Sequence, residues 1–219
     1  MLGYVTAKHT LELGRGAFLG SPEADLPPSS SAIIRGDDLT PQFGYVGPRY
    51  NEARVLLFGI NPGNGRRDSR SDGDEQMLPE LIRFREDRTE ESFRRASMAY
   101  FEVCQHWPVW QPLCSEFIGD GKLSLDQMAY SNCLPWRTAS GTQFSEETAE
   151  RAARLYALPL VEEVEPKIVV ALYKRAANIL EMHGRPLELI RWNGAQAPTE
   201  AVKSERESTA ETILRRVGL

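Results

Sequence analysis

Apolar residues along this chain gather into short unbroken runs separated by longer stretches with helical spacing. Val55-Leu56-Leu57-Phe58 stops at Gly59 and turns through Asn61-Pro62-Gly63. A run without polar alternation suits a strand buried on both faces of a parallel sheet. Leu125 to Leu134, Lys167 to Leu172 and Leu187 to Ile190 supply three further strand candidates. Between and after them, Met77 to Arg85, Ser92 to Trp107, Ser145 to Glu163, Lys174 to His183 and Ser204 to Val217 have the spacing of helices. Ser145-Glu146-Glu147-Thr148 reads as a capped start, with acidic residues at the positive helix end, and Pro166 as a stop. Strands alternating with helices predict an α/β fold around a central four-stranded parallel sheet with right-handed crossovers.

Met1 to Tyr50 carries no such periodicity. Gly14, Gly16, Gly20 and the tract Leu26-Pro27-Pro28-Ser29-Ser30-Ser31 mark loops. Residues 1–50 are therefore expected as an arm packed on a core domain of residues 51–219. Phe43, Tyr45 and Tyr50, interleaved with Gly44, Gly47 and Pro48, are expected to cover that core.

Composition narrows the function classes. With 26 basic and 31 acidic residues among 219, the net charge is −5. Such a chain is not held to nucleic acid by global charge, although a local basic patch remains open to it. No apolar run approaches the ~20 residues of a membrane span. The first ten residues lack the layout of a signal peptide. Cys104, Cys114 and Cys133 form no close pair, which suits free thiols in a reducing compartment and predicts a cytoplasmic protein. Three thiols cannot supply the four ligands of an iron–sulfur cluster, and Cys104-x-His106 is too sparse for zinc. Phosphate-binding loops of the Gly-x-x-x-x-Gly-Lys type and Gly-x-Ser-x-Gly elbows are missing.

Candidate chemistry sits at two strand ends. In parallel sheets, ligands bind beyond the carboxyl ends of the strands, so Asn61 is expected to face a cleft, with Gly59 allowing close approach of the backbone. Asn132, in Tyr130-Ser131-Asn132-Cys133-Leu134-Pro135-Trp136-Arg137, ends a second strand in the same way. Gly59-Ile60-Asn61-Pro62-Gly63 resembles the first active-site motif of the mismatch-specific and single-strand-selective branches of the uracil-DNA glycosylase superfamily. Ser131-Asn132-Cys133-Leu134-Pro135 resembles the strand that carries the superfamily's base-reading asparagine. The likeness extends over roughly Arg54 to Val217.

The resemblance implies a three-layer αβα fold and hydrolysis, without metal or cofactor, of the bond between deoxyribose and uracil or a related damaged base in DNA. It gives Asn61 the attacking water and gives Asn132, with Gly59 and Ile60, the base. Where the superfamily carries a His-Pro-Ser or Asn-Pro-Ser motif, this chain has Arg191-Trp192-Asn193-Gly194, and Asn193 is the candidate substitute donor. Arg66, Arg67 and Arg70, in the polar loop after the first motif, are candidate contacts to the DNA backbone. Lys174 and Arg175 open a helix and are expected at the surface. A monomer is expected. The alternatives are a base- or nucleotide-binding module of the same fold without turnover, and a hydrolase of free nucleosides.

Overall fold

Three of the apolar runs are buried along their whole length, as strands covered on both faces must be. The computed structural model describes residues 1–19, 40–62, 74–105, 122–136, 144–182, 189–191 and 199–219. In chain order these form α1 (Tyr4–Leu13), α2 (Gly16–Leu19), β1 (Tyr45–Val46), α3 (Tyr50–Ala53), β2 (Val55–Gly59), α4 (Asp74–Asp87) and α5 (Glu90–Cys104). Then come β3 (Met128–Asn132), α6 (Glu146–Ala152), a π-helical turn (Ala153–Ala157), α7 (Leu158–Val164), β4 (Ile168–Ala171), α8 (Lys174–Met182), β5 (Leu189–Arg191) and α9 (Glu200–Val217). No described helix is long and apolar enough to cross a membrane.

The strands form one sheet in the order β1-β3-β2-β4-β5. The four expected strands pair in parallel, β3 with β2, β2 with β4 and β4 with β5. β1 joins the outer edge antiparallel to β3, with Tyr45 opposite Tyr130 and Val46 opposite Ala129. The sheet is therefore mixed and five-stranded, which corrects the expected four-stranded parallel sheet. Two residues leave no alternation to read, and the glycines on either side of Tyr45-Val46 look like loop.

Helix starts follow the sequence. Ser145 Oγ accepts the Thr148 N–H at 3.1 Å, and Thr89 Oγ1 accepts the Ser92 N–H at 3.2 Å. The single helix expected over Ser145 to Glu163 is broken by the π turn, which carries Tyr156 under the sheet. There the Tyr156 hydroxyl lies 2.8 Å from Ser131 Oγ, and the Phe43 carbonyl accepts from both at 3.0 and 3.1 Å. Phe43 packs edge-on to Phe84 and Phe93, so one aromatic layer ties β1's lead-in to α4, α5 and the π turn.

The N-terminal residues fold onto this body. The Val5 and Thr6 amides, in the first turn of α1, donate to the Glu163 carboxylate at 3.0 and 2.8 Å. The Tyr4 ring meets Phe84 and Phe93, and Phe18 meets Trp136. On the outer side of β1, Ser97 Oγ on α5 accepts the Val46 N–H at 3.0 Å, which protects the sheet edge.

The β1–β3 approach depends on Gly44. Its φ is +82°, and a Cβ there would collide with the Tyr130 carbonyl oxygen and sit 2.8 Å from its carbon. Gly44→Ala is expected to lower stability by about 2–3 kcal/mol through strain and loss of the edge pairing. Urea denaturation measures it, and an unchanged midpoint would contradict this account of β1.

Candidate functional site

The parallel ladder brings the two motif strands to the same carboxyl edge in register, with Gly59 level with Asn132 and Leu57 level with Tyr130. Pairing continues past the strand ends. The Cys133 and Leu134 amides donate to the Gly59 and Ile60 carbonyls at 3.0 and 2.9 Å, and on the other side Leu172 donates to Phe58 at 2.9 Å. The bend at Ile60-Asn61-Pro62 thus starts from a fully paired strand. Ile60 packs on the core, Asn61 is half-buried and Pro62 buried.

Asn132 is fully buried. Residues two apart in a strand share a face, so Tyr130 reaches forward along β3 and donates its hydroxyl to Asn132 Oδ1 at 2.9 Å. The amide lies over Gly59: a Cβ built there would collide with Asn132 Oδ1 and come within 3.4 Å of the Tyr130 hydroxyl. The missing Cβ of this glycine makes room for the asparagine from the next strand. Asn132 Nδ2 has no hydrogen-bond partner among the described residues. A buried donor left in that state costs about 1–3 kcal/mol, so it marks a place where an acceptor belongs.

Of the expected site residues, Gly59, Ile60, Asn61 and Asn132 come together at this edge. Asn193, Arg66, Arg67 and Arg70 lie outside the described residues. Tyr130 was legible only as part of the strand. Its spacing of two from Asn132 is the signal that could have linked them.

Arg175 also departs from expectation. Lys174 is exposed, but the Arg175 side chain is 18% exposed and works as a clamp. It donates to the Phe144 and Ser145 carbonyls, pairs with Glu146 at 3.3 Å and stacks over the Phe144 ring at 4.5 Å. It thereby fastens the start of α6 to the start of α8 behind the end of β3. On that side of the strand, Cys133 Sγ lies 3.8 Å from the Ala149 carbonyl. Burial pushes the Cys133 thiol up from 9.0 to about 12, against the opposing charge of Arg175. Burial likewise pushes the Tyr156 phenol upward, partly offset by its bond to Ser131.

No group of His, Cys, Asp and Glu side chains among the described residues is arranged to hold a metal ion. No protein-family model matches this chain, and no curated protein matches it significantly.

Gly59→Ala is expected to cost about 2 kcal/mol or more through the clash with Asn132. Adding Asn132→Ala is expected to recover most of that loss, a coupling measured by a double-mutant cycle in urea. Strict additivity would mean that the amide does not lie over Gly59. Stability also acquires a pH dependence. Cys133 and Tyr156 hold their protons more tightly folded than unfolded, so the unfolded state releases them first as pH rises. Stability is expected to be flat below the ordinary thiol value of 9.0 and to fall from there towards about 12, at up to about 1.4 kcal/mol per pH unit per proton. Urea midpoints from pH 8 to 10.5 check the sign.

Proposed function

We propose that this chain is a glycosylase-like hydrolase of the uracil-DNA glycosylase type, with its three-layer architecture, cleaving the N-glycosyl bond of uracil or a related damaged base in DNA. The observation that carries the reading is the unpartnered Asn132 amide donor, buried at a strand end level with Gly59 and beside the Asn61 bend.

The chemistry asks little beyond amides. As the bond between C1′ and the base nitrogen breaks, its electron pair goes to the base and positive charge builds on the sugar. A hydrogen bond from Asn132 Nδ2 to a base oxygen strengthens as that oxygen gains charge, so it favours the transition state over the bound substrate. The Asn61 amide oxygen orients a water whose oxygen bonds to C1′, and the water's proton passes to solvent once the bond has formed. An amide cannot take that proton, and a sugar cation this reactive does not require that it should. Asn193 would add a second contact to the base, and Arg66, Arg67 and Arg70 would hold the DNA backbone beside it. The protein would act as a cytoplasmic monomer without a cofactor.

A second reading is a base- or nucleotide-binding module of the same fold without turnover. Incubation with uracil-containing single- and double-stranded oligonucleotides, followed by alkaline cleavage of abasic sites, separates the two. Abasic product is expected, with Asn61→Ala and Asn132→Ala each slower by about a hundredfold or more. Activity untouched by Asn61→Ala would remove that residue from the mechanism, and binding with no abasic product would leave the module.

A further inference from the structure

Arg94, Arg95 and Arg151 each meet a carboxylate on their own helix, whereas Arg85, in the last turn of α4, pairs with none among the described residues. Its guanidinium is half-buried and has one hydrogen-bond partner there, a neutral one: the Thr40 hydroxyl accepts from Nη1 at 2.8 Å. A guanidinium has five N–H donors and keeps its charge at any ordinary pH, so a single hydroxyl leaves most of its capacity open to an anion. Two residues beyond Thr40, the side-chain oxygen Oε1 of Gln42 is buried with no partner among the described residues. The segment itself is pinned. The Gln42 backbone N–H donates to the Pro135 carbonyl at 2.6 Å, and the Phe43 carbonyl accepts from Ser131 and Tyr156. Phe43 in turn meets Phe84, the residue before Arg85, with ring centroids 5.6 Å apart. A fixed backbone thus carries an unengaged amide oxygen, beside a cation without a counter-charge, along the chain that leaves β3 just past Asn132.

We infer that the Thr40-Pro41-Gln42 segment and the end of α4 form a second subsite, which holds the nucleotide next to the one whose base is removed, an inference that rests on the reading proposed above. Arg85 takes a backbone phosphate and Gln42 the edge of the neighbouring base. Phosphate contacts of this kind set the position of a strand, and base-edge contacts hold its register. Thr40 and Gln42 are at most about 7 Å apart along the chain, a spacing within the span of one nucleotide. A turn of the Gln42 carboxamide exchanges its donor and acceptor ends, so it fits whichever base edge arrives and does not select among them. A free nucleoside carries neither the phosphate nor the neighbour. The substrate class is therefore a polynucleotide strand, and the N-terminal region supplies part of its binding surface.

Fluorescence anisotropy of the full chain with a uracil-containing single-stranded oligonucleotide, over a series of salt concentrations, tests the subsite. Arg85→Gln is expected to weaken binding about tenfold and to reduce the slope of log K against log salt by about 0.7. Arg85→Lys is expected to restore the slope, since a point charge suffices for a phosphate. Thr40→Val removes the same hydrogen bond but leaves the charge, and is expected to keep the slope. A fall in Thr40→Val equal to that in Arg85→Gln makes the effect structural and overturns the phosphate contact. Gln42→Ala is expected to weaken binding about fivefold at unchanged slope, and to have no effect once the bases flanking the uracil are replaced by tetrahydrofuran. A loss that persists there overturns the base contact. Deoxyuridine monophosphate bound as tightly as the strand assigns the cation to a mononucleotide and overturns the polynucleotide. Abasic product measured on the same samples separates the subsite from the hydrolase. Product with an unchanged slope in Arg85→Gln overturns the subsite alone, whereas an Arg85-dependent slope without product keeps the subsite and overturns the hydrolase. No oligonucleotide binding by the unaltered chain overturns both.

Discussion

A carboxamide can lie across a neighbouring strand only where that strand offers no Cβ, and at the carboxyl edge of this sheet one residue meets the condition. Gly59 sits level with Asn132, and the Asn132 oxygen occupies the space a side chain would fill. The arrangement is sensitive to register. A slip of one residue would bring Phe58 or Ile60 beneath the amide and turn every side chain of β2 to the other face. Burial of both faces guards against such a slip, and the ladder running on through the Gly59 and Ile60 carbonyls carries the pairing up to the bend itself.

Tyr130 in turn is held by elements that lie far away in sequence. Its ring is 6.5 Å from Tyr45 on β1 and 6.0 Å from Tyr100 on α5, contacts worth about 0.5–1.5 kcal/mol each beyond the area they bury. β1 reaches that position because Gly44 lets its backbone press on the Tyr130 carbonyl, and α5 stays there because Ser97 bonds the Val46 amide. The hydroxyl that orients Asn132 is therefore fixed through residues 44–46 and 97–100. The N-terminal region is part of what shapes the site.

That dependence also explains what the sequence discloses and what it hides. Continuous apolar runs announce β2, β3 and β4 because burial on both faces leaves a local imprint, and Ser145 announces α6 because a cap is a local device. β1 has two residues and leaves no pattern. α1 is equally silent, since its first-turn amides are satisfied by Glu163, some 157 residues away, and not by a cap of its own. At the site, Gly59 and Asn132 are legible as strand ends. Their contact is not, because which strand lies beside which is decided by the whole sheet. The room that Gly59 leaves for Asn132 is hidden for the same reason: nothing near it in sequence tells that an asparagine from the next strand lies over it. Arg175 looked like a surface charge because its partners, Phe144 to Glu146, are contributed by another helix start.

The charge pattern limits long-range attraction to phosphate. On the described helices and just before them, several arginines are engaged by acidic neighbours: Arg94 and Arg95 by Glu91, Arg151 by Glu147, and Arg49, ahead of α3, by Glu52. With a net charge of −5 and these cations locally neutralised, long-range attraction to phosphate is weak and screened within about 10 Å at ordinary salt. An occupant with an acceptor recovers the cost of burying Nδ2, about 1–3 kcal/mol, whereas one with a donor adds a second unpaired group to the first. The penalty and the gain act on the same atom in opposite directions, so an acceptor and a donor placed against Nδ2 would differ by more than the strength of one hydrogen bond.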